Sequence, residues 1–251
     1  LRPFGQHLRS HRRPRRSQCF GCVDVLCLNG RTGRTEKMDL IFEKELERCQ
    51  NEEKTMPLIQ QLPSHLADMI AAGEVVERPA SVVKELLENA IDAGASAVSA
   101  ELRGGGMSLI RISDNGCGIS PAELPTAFLR HATSKLRTEE DLSCIGTLGF
   151  RGEALAAIAA VSRIEITSRR RGAARGACMT LEGGAAGAVE ECGCPEGTTI
   201  SVHNLFFNTP ARMKFMKKDS AEASAAAAVV QHEALSHARI SFKLTRDGAE
   251  Q

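Results

Sequence analysis

Tryptophan and tyrosine are both absent from these 251 residues. A base-stacking platform of the kind many single-strand binders use would therefore rest on the 9 phenylalanines. No apolar run approaches the length of a membrane span. Net charge is scarce too: 32 Lys and Arg stand against 31 Asp and Glu, a formal +1. Overall charge thus argues neither for nor against a nucleic-acid partner. Neither the Walker A pattern nor the Rossmann glycine fingerprint occurs, so phosphate binding would need another construction.

The 9 cysteines invite a metal or disulfide framework, and their spacing denies it. Cys19-x-x-Cys22, with Cys27 and Cys49, lacks a second paired knuckle, and no histidine follows at finger spacing. Cys192 and Cys194 are too close for a tidy loop closure. Cys117, Cys144 and Cys178 fall in motif or element-like segments, which suits reduced thiols in a cytoplasmic protein.

Against these absences stand three ordered motifs. In residues 81–94, Glu85, Glu88, Asn89 and Asp92 fall on one polar arc of a helical wheel. Val82, Val83, Leu86, Leu87, Ala90, Ile91 and Ala93 fill the opposite arc. Ser81 is the expected N-cap and Gly94 the expected stop. A carboxylate and a carboxamide one turn apart suit a Mg·ATP-hydrolysing site, one to orient water and the other to ligate Mg²⁺ without repelling phosphates. Taken alone, that spacing describes any solvated helix face.

The second motif, Asp114-Asn115-Gly116-Cys117-Gly118, closes the alternating run 108–113, which reads as a half-buried strand. An aspartate there can accept from an exocyclic amine, and the glycines let backbone approach a flat ring. The third, Gly146-Thr147-Leu148-Gly149-Phe150-Arg151-Gly152-Glu153-Ala154-Leu155, is a glycine-punctuated loop feeding an alanine-rich helix. Free N–H groups at such a start, beside Arg151, suit phosphates.

These segments, with Gly197-Thr198-Thr199 further on, resemble the GHKL ATPases, a superfamily with DNA gyrase, a heat-shock chaperone and histidine kinases among its members. Within it they are most similar to the MutL family of mismatch-repair proteins. The likeness runs from about Met56 onward. It is carried by residues 73–86, His131-Ala132-Thr133-Ser134-Lys135, Gly149-Phe150-Arg151-Gly152-Glu153-Ala154-Leu155 and Asn208-Thr209-Pro210-Ala211-Arg212. The resemblance implies an α/β two-layer sandwich of the Bergerat type, with a mixed, mostly antiparallel sheet and helices on one face. It implies ATP and Mg²⁺ as cofactors. Glu85 would orient the hydrolytic water, Asn89 would ligate Mg²⁺ and Asp114 would accept the adenine amino group. Gly118 and Thr199 would complete the base pocket. Thr133, Ser134 and Lys135, with the backbone of Arg151, Gly152, Glu153, Ala154 and Leu155, would hold phosphates. Glu88 rivals Glu85 on the same arc, and motif position decides for Glu85. His131 is expected to make a structural hydrogen bond.

The implied role is a nucleotide-gated dimer that couples mismatch recognition to repair in the bacterial cytoplasm. Its partners would be a MutS-type mismatch-recognition protein, a second copy of itself and, weakly, DNA. Slow or no turnover is expected of this chain, because the family's second domain supplies a lysine toward the γ-phosphate. Other readings are a topoisomerase ATPase subunit, a histidine kinase or a non-catalytic ATP-gated clamp. A kinase would need a phosphoacceptor helix before the ATP motifs, and His7, His11 and His65 have no such context.

Residues 1–55 do not share the likeness. They carry 12 Lys and Arg against 8 Asp and Glu, with a basic cluster at His11-Arg12-Arg13-Pro14-Arg15-Arg16. The apolar run after it is short and holds Asp24, which excludes an export signal. Met56-Pro57 sits where the family's proteins begin, so 1–55 is expected to be a disordered or mis-annotated leader and 56–251 the ATPase domain, ending near the start of the family's second domain.

Periodicity predicts helices at 65–72, 81–93, 121–129, 152–160 and 220–237. It predicts strands at 97–103, 108–113, 163–168, 177–182, 188–191, 198–204 and 240–246. The stretch 131–152 is expected to order over a bound triphosphate.

Overall fold

Alternating side chains build the sheet, and the computed structural model describes it over residues 60–134 and 152–251. Five strands carry the core: β1 (Ala97–Arg103), β2 (Leu109–Asp114), β3 (Arg163–Arg169), β4 (Gly176–Glu182) and β7 (Gly197–His203). β8 (Ser241–Arg246) adds Leu244 to that core, and the short strands are β5 (Ala185–Ala186), β6 (Glu190–Cys192) and β9 (Ala249–Glu250). Their order is β5-β4-β3-β7-β2-β1-β8-β9, with β6 also on β4. Every pairing is antiparallel except β1 with β8. This is the mixed, mostly antiparallel α/β fold that the motifs imply.

Register turns the alternation into rows. Leu244, Ala100, Ile112, Ile200, Ile166 and Met179 are aligned across six strands, and Leu102, Ile110, Val202, Ile164 and Leu181 form the next row. All are buried. A further row runs Val98, Asp114, Thr198, Ser168 and Ala177, apolar at its ends and polar in the middle. The opposite face of the sheet carries charge in matched pairs: Glu101 with Arg103 and Arg111, Glu182 with Arg163, and Lys243 with Glu250.

Among the described residues, six helices accompany the sheet: α1 (Ser64–Val75), α2 (Pro79–Asp92), α3 (Leu124–Ala127), α4 (Ala154–Ala160), α5 (Pro210–Met213) and α6 (Asp219–Ser236). α2 packs on β2 and on α6, and α1 packs on α4. The small side chains Ala223, Ala226 and Ala227, buried on α6, let it lie against α2.

Some boundaries differ from those read in the sequence. α2 begins two residues before Ser81, because Pro79 already has the φ a first helical residue needs and Arg78 enters it extended. Its end is as expected. Gly94 adopts φ +70°, Gly94 N–H bonds Ile91 O at 2.9 Å and Ala95 N–H bonds Ala90 O at 3.2 Å, the double stop of a Schellman turn. The strand expected at 188–191 is replaced by β5 and β6, and α5 and β9 have no counterpart in the periodicity.

One long-range contact fixes the start of α2. Arg78 donates from Nε to Glu222 Oε2 at 3.1 Å and from Nη2 to Glu222 Oε1 at 2.9 Å. Glu222 is 1 % exposed and also accepts from the Lys217 N–H at 3.0 Å.

Candidate functional site

The apolar face of α2 sets the direction of its polar one. Val82, Val83, Leu86, Leu87 and Ala90 are all buried. Each buried Val or Leu contributes about 1.5–3 kcal/mol, enough to hold the helix in one rotation. Glu85 and Asn89 are thereby left partly exposed, one turn apart. Glu88, the other acid on that arc, is 8 % exposed and ion-paired to Lys84 Nζ at 2.6 Å. That hydrogen bond first, and then the charges of Glu88, Glu85 and Glu233, hold the Lys84 ammonium above its ordinary range against an opposing desolvation. Packing therefore separates the two glutamates that the helical wheel left together.

Asp114 ends β2 in the polar row, on the side of the sheet that bears the core. Burial pushes its carboxyl up, while N–H bonds from Gly116 and Thr198 pull it down less strongly. The Gly116 bond is 2.7 Å. The loop after it is tied to the end of α2, since Cys117 N–H bonds Ala93 O at 2.9 Å. Asn115 is structural: its Oδ1 accepts from Ser96 N–H at 2.8 Å and Ala97 N–H at 2.9 Å.

Two glycines are demanded by close approach. Gly118, at φ +70°, lies where any Cβ would collide with the Arg169 carbonyl, and Gly197, at φ +105°, where it would collide with that of Asp114. Strand ends and loop are thus pressed together around the polar row.

Ser168, 1 % exposed, is the hub of that row. Its Oγ accepts from Ile119 N–H at 2.8 Å, donates to Gly197 O at 3.0 Å and lies 2.9 Å from Thr198 Oγ1. With its single proton given to Gly197, Thr198 must be the donor to Ser168. Thr199 is not brought to this group. Its Oγ1 donates to Ser113 Oγ at 3.0 Å on the opposite face of the sheet. Its neighbour Thr198 is the threonine in the polar row, beside Asp114 and Ser168.

At the other end of the candidate site, the segments carrying Thr133, Ser134 and Gly152 adjoin: a Cβ at 152 would lie 2.6 Å from Ala132 O. Gly152, Glu153, Ala154 and Leu155 lead into α4. His131 Nδ1 is 3.3 Å from Glu153 Oε1 in an exposed pair rather than in the hydrogen bond expected of it. Lys135 and Arg151 lie outside the described residues, as does the stretch between them.

Asn208-Thr209-Pro210-Ala211-Arg212 takes a scaffolding part. Asn208 Nδ2 donates to Ala160 O at 2.8 Å and Arg212 Nη1 to Val76 O at 2.7 Å. It thereby joins the C-terminal ends of α4 and α1.

Ser168 and Thr198 are the residues that sequence reasoning misses. Ser168 follows Ile164 and Ile166 at period two, so a polar side chain at an inward position is the available signal.

Comparison with known proteins agrees with the fold. The family pattern described as histidine kinase-, DNA gyrase B-, and HSP90-like ATPase matches residues 77–204. The DNA mismatch repair protein MutL of Neisseria meningitidis is 50% identical over 195 residues, which is 78% of this chain and 30% of that protein. MutL of Geobacter sulfurreducens is 53% identical over 190 residues, 76% of this chain and 31% of that protein. The chain thus spans less than a third of either relative's length. Among solved structures, the Aquifex aeolicus MutL ATPase domain complexed with ADP aligns with TM-score 0.56 and 33% identity, covering 70% of this chain and 63% of that one. The N-terminal domain of a DNA repair protein aligns with TM-score 0.62 and 28% identity, covering 73% and 54%.

Proposed function

This chain belongs to the histidine kinase-, DNA gyrase B- and HSP90-like ATPase family, and from its likeness to MutL proteins within that family we propose that residues 56–251 are the ATP-binding module of a MutL-type mismatch-repair protein. The observation that carries this reading is the polar row Asp114–Thr198–Ser168, set at the strand ends beside the end of the helix that bears Glu85 and Asn89.

In this reading Asp114 accepts the adenine amino group, Thr198 stands beside it and Gly118 admits the flat base. Glu85 accepts a proton from the water that attacks the γ-phosphorus. Thr133, Ser134, Lys135 and the backbone from Arg151 to Leu155 hold the phosphates. Asn89 suits Mg²⁺ by its chemistry: a neutral oxygen donor, partly exposed, for an ion that keeps waters and takes phosphate oxygens. When bound, Mg²⁺ would neutralise phosphate charge. The nucleotide state would then govern pairing with a second copy, contact with a MutS-type protein and weak DNA binding, in the bacterial cytoplasm. Among the described residues no helix is long and apolar enough to cross a membrane.

Calorimetry with a non-hydrolysable ATP analogue tests the reading. Binding is expected in the presence of Mg²⁺, weakened in its absence, and insensitive to Mg²⁺ in Asn89→Ala. No heat at millimolar analogue would refute it.

A pH series tests Asp114 separately. Its raised carboxyl should protonate earlier on acidification than an ordinary carboxylate. Analogue affinity is therefore expected to fall from a pH above the usual carboxylate range. The stability sign is opposite. With the folded value raised, the ionised form costs stability once pH exceeds it. Asp114→Asn should thus lose analogue binding while melting at or above the wild-type temperature at neutral pH. A mutant that melts much lower would show Asp114 to be a structural residue.

A further inference from the structure

The sheet edge around β4 and β6 holds chemistry that the nucleotide site does not use. There Gly176 faces Cys192 and Cys178 faces Glu190. The Cys194 sulfur lies over Gly176 where a side chain would otherwise stand. The Cys192 thiol neighbours those of both Cys194 and Cys178, and all three are free thiols. Among the described residues no set of three or more His, Cys, Asp or Glu side chains could hold a metal ion.

A cavity of about 280 Å³ opens on Cys192 and Cys194, with Arg169, Arg175 and Glu191 in its wall. Arg175 is occupied by Glu191 at 2.7 Å. Arg169 Nε is buried without a hydrogen-bond partner, and the half-buried Arg169 side chain brings a cation to the cavity wall. Gly193 has no neighbour within 4 Å of its side-chain position, which leaves the Cys192-Gly193-Cys194 backbone room to bend.

We propose that Cys192 and Cys194 form a thiol-redox site, oxidised by an anionic small-molecule disulfide, whose closure weakens nucleotide binding. One protein thiolate attacks a sulfur of the oxidant, the oxidant's S–S bond breaks, and the departing thiolate takes up the proton the protein released. The second thiol attacks the mixed disulfide, the Cys192–Cys194 bond forms and a second small thiol leaves. Two protein thiols are oxidised and one disulfide is reduced to two thiols.

The path to the nucleotide motif is the β3–β4 hairpin. Cys194 packs on Gly176 at its turn end. At that same end Arg169, beside Gly176, backs Gly118, and Arg171 N–H bonds Cys117 O at 3.0 Å. Drawing Cys194 toward Cys192 removes the first support and loosens the second. This consequence rests on the adenine reading of Asp114 and Gly118; the disulfide does not.

The test equilibrates the full chain with reduced and oxidised glutathione, caps free thiols with iodoacetamide and cleaves at glutamates. Glu191 and Glu196 bracket a peptide that holds Cys192 and Cys194 without Cys178. As the oxidised fraction rises, this peptide should pass from doubly capped to uncapped and two hydrogens lighter. Cys178→Ser should leave that unchanged, and Cys194→Ser should give a glutathione adduct on Cys192. A peptide that stays doubly capped, or a link from Cys192 to Cys178, overturns the site. In parallel, affinity for the ATP analogue should fall roughly threefold or more on oxidation and return with dithiothreitol, with no fall in Cys194→Ser. An unchanged affinity overturns the coupling. A reduced chain that binds no analogue counts against the adenine reading, while the peptide masses still decide for or against the disulfide.

Discussion

Replacing Glu85 with alanine is expected to leave ATP-analogue binding nearly intact and to slow hydrolysis by about 10²–10⁴-fold, the range a positioned general base supplies. The side chain stands on the polar arc of α2, a full turn before Asn89, and its removal takes no apolar surface from the core. Glu88→Ala is the informative comparison. Glu88 is buried and held by Lys84, whose own side chain is 51% exposed and can be hydrated once its partner has gone. That change should cost some stability and leave turnover largely as it was. Single-turnover assays with protein in excess follow even a slow reaction. Equal losses in the two variants would sink the assignment of the base to Glu85.

Arg78→Ala is expected to destabilise the fold by about 3–5 kcal/mol, the cost of leaving a buried carboxylate without its cation. For a domain of this size that lowers the melting temperature by about 10 °C. The reasoning is asymmetric. Glu222 is 1% exposed whereas Arg78 is 33% exposed, so Glu222→Ala leaves behind a guanidinium that water can reach. Arg78→Ala should therefore be the more damaging of the two, and Arg78→Leu with Glu222→Leu should recover part of the loss. Denaturant unfolding of the four proteins decides it. A cost below about 1 kcal/mol for Arg78→Ala would place the contact among ordinary surface ion pairs.

What can be read in the sequence, and what cannot, follows from the range of the interaction. Strand identity and facing are local, so the alternation in β1, β2, β3 and β7 is visible. The pattern even contains the facing of the two threonines. Thr199, Ser201 and His203 belong to one face, which leaves Thr198 on the other with Ile200 and Val202. The motif reading selects Thr199 against that parity. Glu85 and Glu88 cannot be separated locally, because burial of Glu88 depends on the packing of a helix that begins at Asp219. Arg78 and Glu222 are 144 residues apart, and nothing near either one announces the other. Ser81 is a sound cap by composition and loses its place to the proline before it.

The parallel pairing of β1 with β8 has a kinetic meaning. Ala97 meets Ser241 only after everything between them has been made and gathered, and the loop closed by that meeting takes in most of the domain. Such contacts return nothing until their chain entropy has been spent, which slows folding. The antiparallel neighbours β3 and β4 can pair early, and β7 can join β3 and β2 before β8 arrives. The helix that bears Glu85 receives its Arg78 anchor from α6, immediately ahead of β8. Its final orientation therefore belongs to the closing steps of folding, and a partly folded chain would hold the strands that carry Asp114 and Thr198 before it holds the helix of Glu85 in place.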